Sequence, residues 1–266
     1  MTRLIRFIAL LLVAAAPSGV AFAETAEEAW NKLVGVKLDG NPMFAFVKND
    51  PGLPNVLIHG DSISMGYTQE VRKRLKGKAN VYRMYRNCGS STLFIPLMTT
   101  MHETMRDEKK EGHWTFKWDV IHFNSGLHDL KYIQQGTPDS KERKRAVPTE
   151  QYQKNMRDMI AYIQKTDPGA KIIFATTTPI PESSMHREVG DSVEYNKAAL
   201  KVLEEFPAVA VNDLHSYVKP NHSKWWSHPG NVHFNPAGQK ALGEQVARVI
   251  LKELKNREKT DKEDSK

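Results

Sequence analysis

The 266-residue chain has one cysteine, Cys88. A single thiol cannot close an internal disulfide, so the fold has to hold through its core. No histidine lies near Cys88 in sequence to act as its base, which favours a small buried residue over a nucleophile. Long apolar runs are missing too. Residues 7–16 form a run of ten, too short to span a bilayer. It follows Arg3 and Arg6 and precedes Ala21-Phe22-Ala23, an A-x-A cleavage pattern. Residues 1–23 therefore read as a secretory signal peptide cut before Glu24. The mature chain is expected to be periplasmic or secreted, without a transmembrane segment; a retained N-terminal anchor is the alternative. The chain has no internal repeat, no H-E-x-x-H pattern and no Cys or Asp/Glu cluster at ligand spacing, so no metal and no other cofactor is expected. It also has no basic face interleaved with aromatics. Of its net charge of +7, Arg3 and Arg6 supply two and "KERKRAV" (141–147) three, while the C-terminal tail carries four basic and four acidic residues. A nucleic-acid partner is not expected; a solvated charged loop and tail are.

What is present is ordinary globular material, 40% hydrophobic and 26% charged. Residues 24–255 suffice for one domain with a sizeable core. Five short apolar runs, mostly rich in β-branched residues, read as strands: "NVLIHG" (55–60), "NVYRMY" (80–85), "DVIHFN" (119–124), "KIIFATTT" (171–178) and "AVAVNDL" (208–214). Helical patterns lie between them at 66–77, 149–166 and 191–205. In the second, Tyr152, Met156, Ile160 and Ile163 share a face, and Asp167-Pro168-Gly169 ends it. A last helix is expected from Pro236 to Leu254, capped by Asn235, with Leu242, Val246, Val249 and Ile250 inward. Residues 256–266, "NREKTDKEDSK", read as a disordered charged tail. This alternation implies a parallel sheet with helices on both faces. Sites in such sheets lie at the carboxyl ends of the strands.

The residues just after the strands are the polar and small ones. Gly60-Asp61-Ser62 follows the first, Asn87-Cys88-Gly89 the second, and Asn124-Ser125-Gly126-Leu127-His128-Asp129 the third. Asn231-Val232-His233 precedes the last helix. Each segment alone is weak; their combination, in this order, is specific. Here the chain resembles the SGNH, or GDSL-type, serine hydrolases over nearly all of its mature length. The resemblance implies a single-domain flavodoxin-like α/β/α sandwich with a five-stranded parallel sheet. It also implies a nucleophile at Ser62, an oxyanion-binding glycine at Gly89, a structural role for Asp129 and a base at His233. Two positions depart from the family pattern. The oxyanion-binding asparagine of Gly-x-Asn-Asp is His128 here, and the acid of Asp-x-x-His is Gly230.

The chemistry explains what those departures put at stake. A serine hydroxyl needs a base to take its proton, and imidazole suits that task. The negative oxygen of the tetrahedral intermediate needs fixed donors. Ser62 and Gly89 can offer backbone N–H groups. His128 ranks ahead of Asn124 as the third donor. The acid of a Ser-His-Asp triad orients the imidazole without taking the proton, so a Ser-His dyad oriented by a carbonyl from Gly230 or a neighbour can still work. Asp213, after the fifth strand, is the alternative orienting acid, although a helix or turn cap is the simpler reading. Trp225 and Trp226 could stack on sugar rings, grip an acyl chain or pack the loop.

The expected function is hydrolysis of carboxylic esters through an acyl-enzyme on Ser62. An O-acetyl or other acyl group on a carbohydrate is the first expectation, a lipid, lysophospholipid or thioester the second. A non-catalytic descendant that binds glycans or an envelope partner is the rival of another class. The partner is thus a small-molecule or glycan ester, and the oligomeric state is left open.

Overall fold

A computed structural model of the chain describes residues 23–134 and 143–264. The leader expected at 1–23 lies almost wholly outside the described residues.

Five strands form one parallel sheet: β1 (Asn55–His59), β2 (Asn80–Arg83), β3 (Val120–Asn124), β6 (Lys171–Ala175) and β7 (Ala210–Asn212). Their order is β2-β1-β3-β6-β7, the doubly wound arrangement in which the chain reverses direction between β1 and β3. Register pairs Leu57 with Ile121 and Ile121 with Ile172. Every residue of β1, β2 and β3 is buried, as continuous apolar runs must be when helices cover both faces. A short antiparallel hairpin, β4 (Tyr132–Gln134) with β5 (Arg143–Arg145), takes up part of the stretch expected to be a solvated basic loop.

On one face α2 (Ser62–Leu75) packs along α8 (Pro236–Asp264). On the other, α3 (Phe94–Met105), α4 (Thr149–Thr166) and α5 (Asp191–Leu203) lie side by side, with α1 (Ala26–Val34) against α3. Two short helices, α6 (Leu214–Val218) and α7 (His222–Trp225), follow β7. The inward face of α4 is the expected one, with Met159 added to it. Asn235 caps α8 through Oδ1, which accepts the Gly238 N–H at 3.0 Å.

One expectation needs correction, and two helices were not anticipated. Residues 256–264 are helical, because α8 continues to Asp264. Glu, Lys and Arg are good helix formers, and Arg257 is held by an ion pair to Asp119, so charge alone did not dissolve the segment. Helix α3 was not anticipated, and Pro96 does not break it. The proline stands in the first turn, where the missing N–H has no intrahelical partner to lose. Helix α1 carries a full Thr25–Glu28 capping box, a signal present in the sequence and passed over.

Candidate active site

The first strand delivers Ser62 at a sharp turn. Gly60 ends the strand, Asp61 caps α2 by accepting the Ile63 N–H at 2.9 Å, and Ser62 is the first helical residue. A Cβ on Gly60 would lie 2.0 Å from Asn124 Oδ1 and 2.9 Å from Ser64 Cβ, so only glycine fits. The Ser62 N–H is among the first four amides of a helix, which have no intrahelical acceptor and sit at the positive end of the dipole. Beneath the turn lies Arg83, wholly buried. Its Nη2 donates to Gly60 O (3.2 Å), Asp61 O (3.3 Å) and Ser64 Oγ (2.9 Å), and its Nη1 to Met84 O and Arg86 O, both at 3.0 Å. One guanidinium thus ties the turn after β1 to the segment after β2.

His233 comes from a loop closed at its base. Trp226 bridges Phe234, Ser227 N–H donates to His233 O at 2.9 Å, and Asn235 N–H donates to Trp225 O at 2.8 Å. The loop brings His233 Nε2 to 2.8 Å from Ser62 Oγ. On the far side of the ring, Nδ1 is 2.7 Å from Asn231 Oδ1. That same oxygen accepts the His233 backbone N–H at 2.8 Å. A backbone N–H only donates, so the Asn231 atom is the carbonyl oxygen, and the ring carries its proton on Nδ1. Nε2 then presents a lone pair to the Ser62 hydroxyl. Burial pulls the His233 pKa below the ordinary imidazole value. Asp61 works against that shift, and the positive charge on Arg187 adds to it.

One expectation about the orienting group is therefore revised, and one alternative drops out. The acceptor is the Asn231 side chain, and no carbonyl from Gly230 is needed. Asp213 is not the orienting acid. Its Oδ1 accepts the Ser216 N–H and the Thr176 hydroxyl, each at 3.0 Å, so its carboxylate is committed to capping α6.

The oxyanion side is less uniform. Gly89 is in the left-handed region (φ 60°), and its N–H donates to Asn87 Oδ1 at 3.0 Å. A negative oxygen competes well for that N–H, because charge-assisted bonds are roughly twice as strong as neutral ones. Asn124 is buried, with Oδ1 pressed against Gly60 under the Ser62 turn. His128 is half-buried and close enough to oppose protonation of His233. Asp129 is structural, accepting the Ser91 N–H at 2.9 Å and the Ser125 hydroxyl at 3.2 Å. Burial raises its pKa, and those bonds only partly offset the shift.

With this arrangement established, comparison with known proteins is decisive at one level. The model of the family described as GDSL-like Lipase/Acylhydrolase matches residues 58–241. The chain belongs to that family. A lipase/acylhydrolase from Enterococcus faecalis superposes with a TM-score of 0.53 at 18% identity, over 74% of this chain and 95% of that one. An acetyl xylan esterase does so with a TM-score of 0.53 at 16% identity, over 74% and 99%. Both likenesses speak to the fold. No curated protein matches the sequence.

In this GDSL-like protein a cavity of about 360 Å³ adjoins the site. One wall is the loop bearing His228, Asn231 and His233; the other is the segment after β6 with Ser183, Met185 and Arg187. That segment contains left-handed residues, Ser183 (φ 58°) and His186 (φ 61°). Arg187 Nε donates to Leu127 O at 2.9 Å and so links the cavity wall to the loop after β3. The tryptophans do not line this cavity. Trp225 packs against Tyr217, and Trp226 meets His222 edge-on. Cys88 is buried, which pushes its thiol up to about 12 and makes it a poor nucleophile.

Sequence reasoning missed Asn231, Arg83 and Arg187. Asn231 is visible as a carboxamide two residues before the histidine, while the family pattern points to the position three before it. Arg83 was visible as a cation inside an apolar strand. Arg187 gave no local signal, since it reaches the site only through a long loop.

Proposed function

We propose that this protein is an exported serine ester hydrolase that removes O-acyl groups, acetyl foremost, from carbohydrate. The observation that carries the hydrolase reading is the Ser62–His233–Asn231 line, with hydrogen bonds of 2.8 and 2.7 Å and a defined ring tautomer. Ser62 Oγ attacks the ester carbonyl while His233 Nε2 takes its proton. The backbone N–H groups of Ser62 and Gly89 hold the resulting oxyanion, with His128 as the third donor. Collapse expels the alcohol, which receives the proton from His233. Water, deprotonated by the same nitrogen, then releases the acyl group from Ser62. An asparagine can orient the base, as in the Cys-His-Asn proteases.

The carbohydrate reading is supported by the cavity. Its walls offer Arg187, Ser183 and Ser184, hydrogen-bonding groups suited to a hydroxyl-rich alcohol. Met185 and Val232 are too few to form a track for a long acyl chain, which places lipid esters second. Export rests on the leader pattern at 1–23; among the described residues no helix is long and apolar enough to cross a membrane.

The test is ester hydrolysis by wild type and Ser62→Ala on p-nitrophenyl acetate, longer p-nitrophenyl esters and a panel of acetylated glycans. Wild type is expected to be active, with highest kcat/KM on acetylated glycans, and Ser62→Ala inactive. Equal rates for the two proteins on every ester would overturn the hydrolase and leave the non-catalytic binding reading. Preference for long acyl chains would replace the carbohydrate reading with the lipid one.

A further inference from the structure

The carboxamide that orients His233 has a second end, and that end is also held. Asn231 Nδ2 lies 2.8 Å from His228 Nε2. The other nitrogen of that ring, His228 Nδ1, lies 3.1 Å from Pro229 O. A carbonyl oxygen only accepts, so Nδ1 carries the His228 proton. In a neutral ring Nε2 is then the acceptor, as the Asn231 amide requires. The chain of donors runs one way without a break: Ser62 Oγ–H to His233 Nε2, His233 Nδ1–H to Asn231 Oδ1, Asn231 Nδ2–H to His228 Nε2, and His228 Nδ1–H to Pro229 O. Its direction is pinned independently at two points, by Pro229 O and by the His233 backbone N–H on Asn231 Oδ1.

We infer that His228 is a positioning residue, which acts through Asn231 to keep His233 in the tautomer that can accept the Ser62 proton, and does so only while its own ring is neutral. Once His228 takes a second proton, its Nε2–H faces the Asn231 Nδ2–H donor to donor at 2.8 Å. That clash is relieved by expelling the His228 ring or by turning the amide over. Turning it over breaks the bond to the His233 backbone N–H and sets an Nδ2–H against His233 Nδ1. The base then carries its proton on Nε2, where Ser62 can no longer deliver one. A carboxylate at position 231 could not be reversed in this way, since both of its oxygens accept. The polarity of an amide makes the orientation conditional.

The surroundings leave His228 accessible to this control. It is exposed at the rim of the cavity. The other charged or titratable side chains lining that cavity are Arg187, from the segment after β6, and His233, from its own loop; among the described residues no carboxylate lines it. Glu182 approaches the loop through its backbone carbonyl. No anion in the cavity wall is therefore placed to hold a charged His228.

The inference rests on the hydrolase reading for its kinetic arm only. The experiment compares wild type, His228→Gln and His228→Ala on p-nitrophenyl acetate across the acid range. Glutamine places Oε1 where Nε2 stands and accepts from Asn231 without titrating. For wild type, log kcat/KM should fall on the acid side more steeply than one titration allows, by about tenfold beyond the fall due to His233 alone, because charging His228 removes its hold on Asn231. For His228→Gln the slope should be one. His228→Ala should lose about 10-fold in kcat with KM unchanged, a modest misplacement of the base. Equal slopes in wild type and His228→Gln, or a His228→Ala effect on KM alone, would overturn the inference. Nitrogen-15 NMR of the full chain without substrate supplies the second arm. His233 should leave the Nδ1-protonated tautomer as His228 titrates in wild type, and keep it in His228→Gln. A coupled titration in a protein without esterase activity would sink the hydrolase and leave this inference standing; activity with independent ring titrations would do the reverse.

Discussion

Substituting Asn231 tests the unusual feature of the site most directly, and its two useful variants have opposite effects. In Asn231→Ala the His233 Nδ1–H and backbone N–H both lose their acceptor, at 2.7 and 2.8 Å. The ring is then free to rotate and to adopt the wrong tautomer. Corrupting the orienting group of a Ser-His-Asp protease costs roughly 10⁴-fold in kcat through the tautomer alone. Alanine installs no competing donor, so a loss of about 10²- to 10³-fold is expected, with KM little changed. In Asn231→Asp the acceptor stays and gains a charge. Two unit charges about 4 Å apart interact by about 1 kcal/mol in water and about 4 kcal/mol at an effective dielectric constant of 20. His233 is exposed to the cavity, and screening keeps the gain near the lower figure, about 1–2 kcal/mol. That raises the His233 pKa by roughly one unit and stabilises the imidazolium of the transition state, for a rise in kcat of about tenfold. The acid limb of kcat/KM should move up by the same unit. The assay is steady-state hydrolysis of p-nitrophenyl acetate from pH 4 to 9. Wild-type kcat in Asn231→Ala, or an unmoved acid limb in Asn231→Asp, would refute the assignment of Asn231 as the orienting group.

Other expectations follow from the same geometry. Gly230→Asp, which restores the family's residue at that position, should destabilise the protein by about 1–2 kcal/mol without raising kcat. Gly230 has φ 77°, and a Cβ there would sit 3.1 Å from Ser183 O; thermal denaturation beside kcat would show it, and a faster, equally stable variant would contradict it. Asp213→Ala should cost about 1 kcal/mol of stability as a lost cap while leaving kcat within a few-fold of wild type, whereas a collapse in rate with the fold intact would restore it as the orienting acid. Acid should destabilise the fold through its buried histidines. Burial lowers His59 to about 3 and His122 to about 4, while the unfolded chain titrates near 6.5. Below that value the unfolded state takes up protons that the native state refuses, so stability present at neutral pH is lost as pH falls from 6.5 toward 4, by about 1.4 kcal/mol per pH unit for each ring. Urea denaturation at pH 7, 6 and 5 measures it, and a flat profile would show that the rings are not held neutral.

Much of this was legible in the chain itself. Runs such as "NVLIHG" are apolar because both faces of the sheet are covered, and the pattern of α4 follows from one inward face, so strands, helices and their alternation are local facts of residue order. Ser62, Gly89 and His233 stand out because they lie in the polar, small-residue segments that follow strands or precede the last helix. What holds His233 was not legible. Gly230 and Asp213 were reasonable candidates by position, yet a loop closed by a Trp226–Phe234 bridge aims the Asn231 carboxamide instead, and Asp213 was already spent on α6. Arg83 and Arg187 likewise gain their meaning from carbonyls 22 or more residues away in sequence. Burial and periodicity are short-range properties, written residue by residue. The direction of a hydrogen bond between distant loops is not, because it depends on which donor and which acceptor the folded backbone brings within 3 Å of each other.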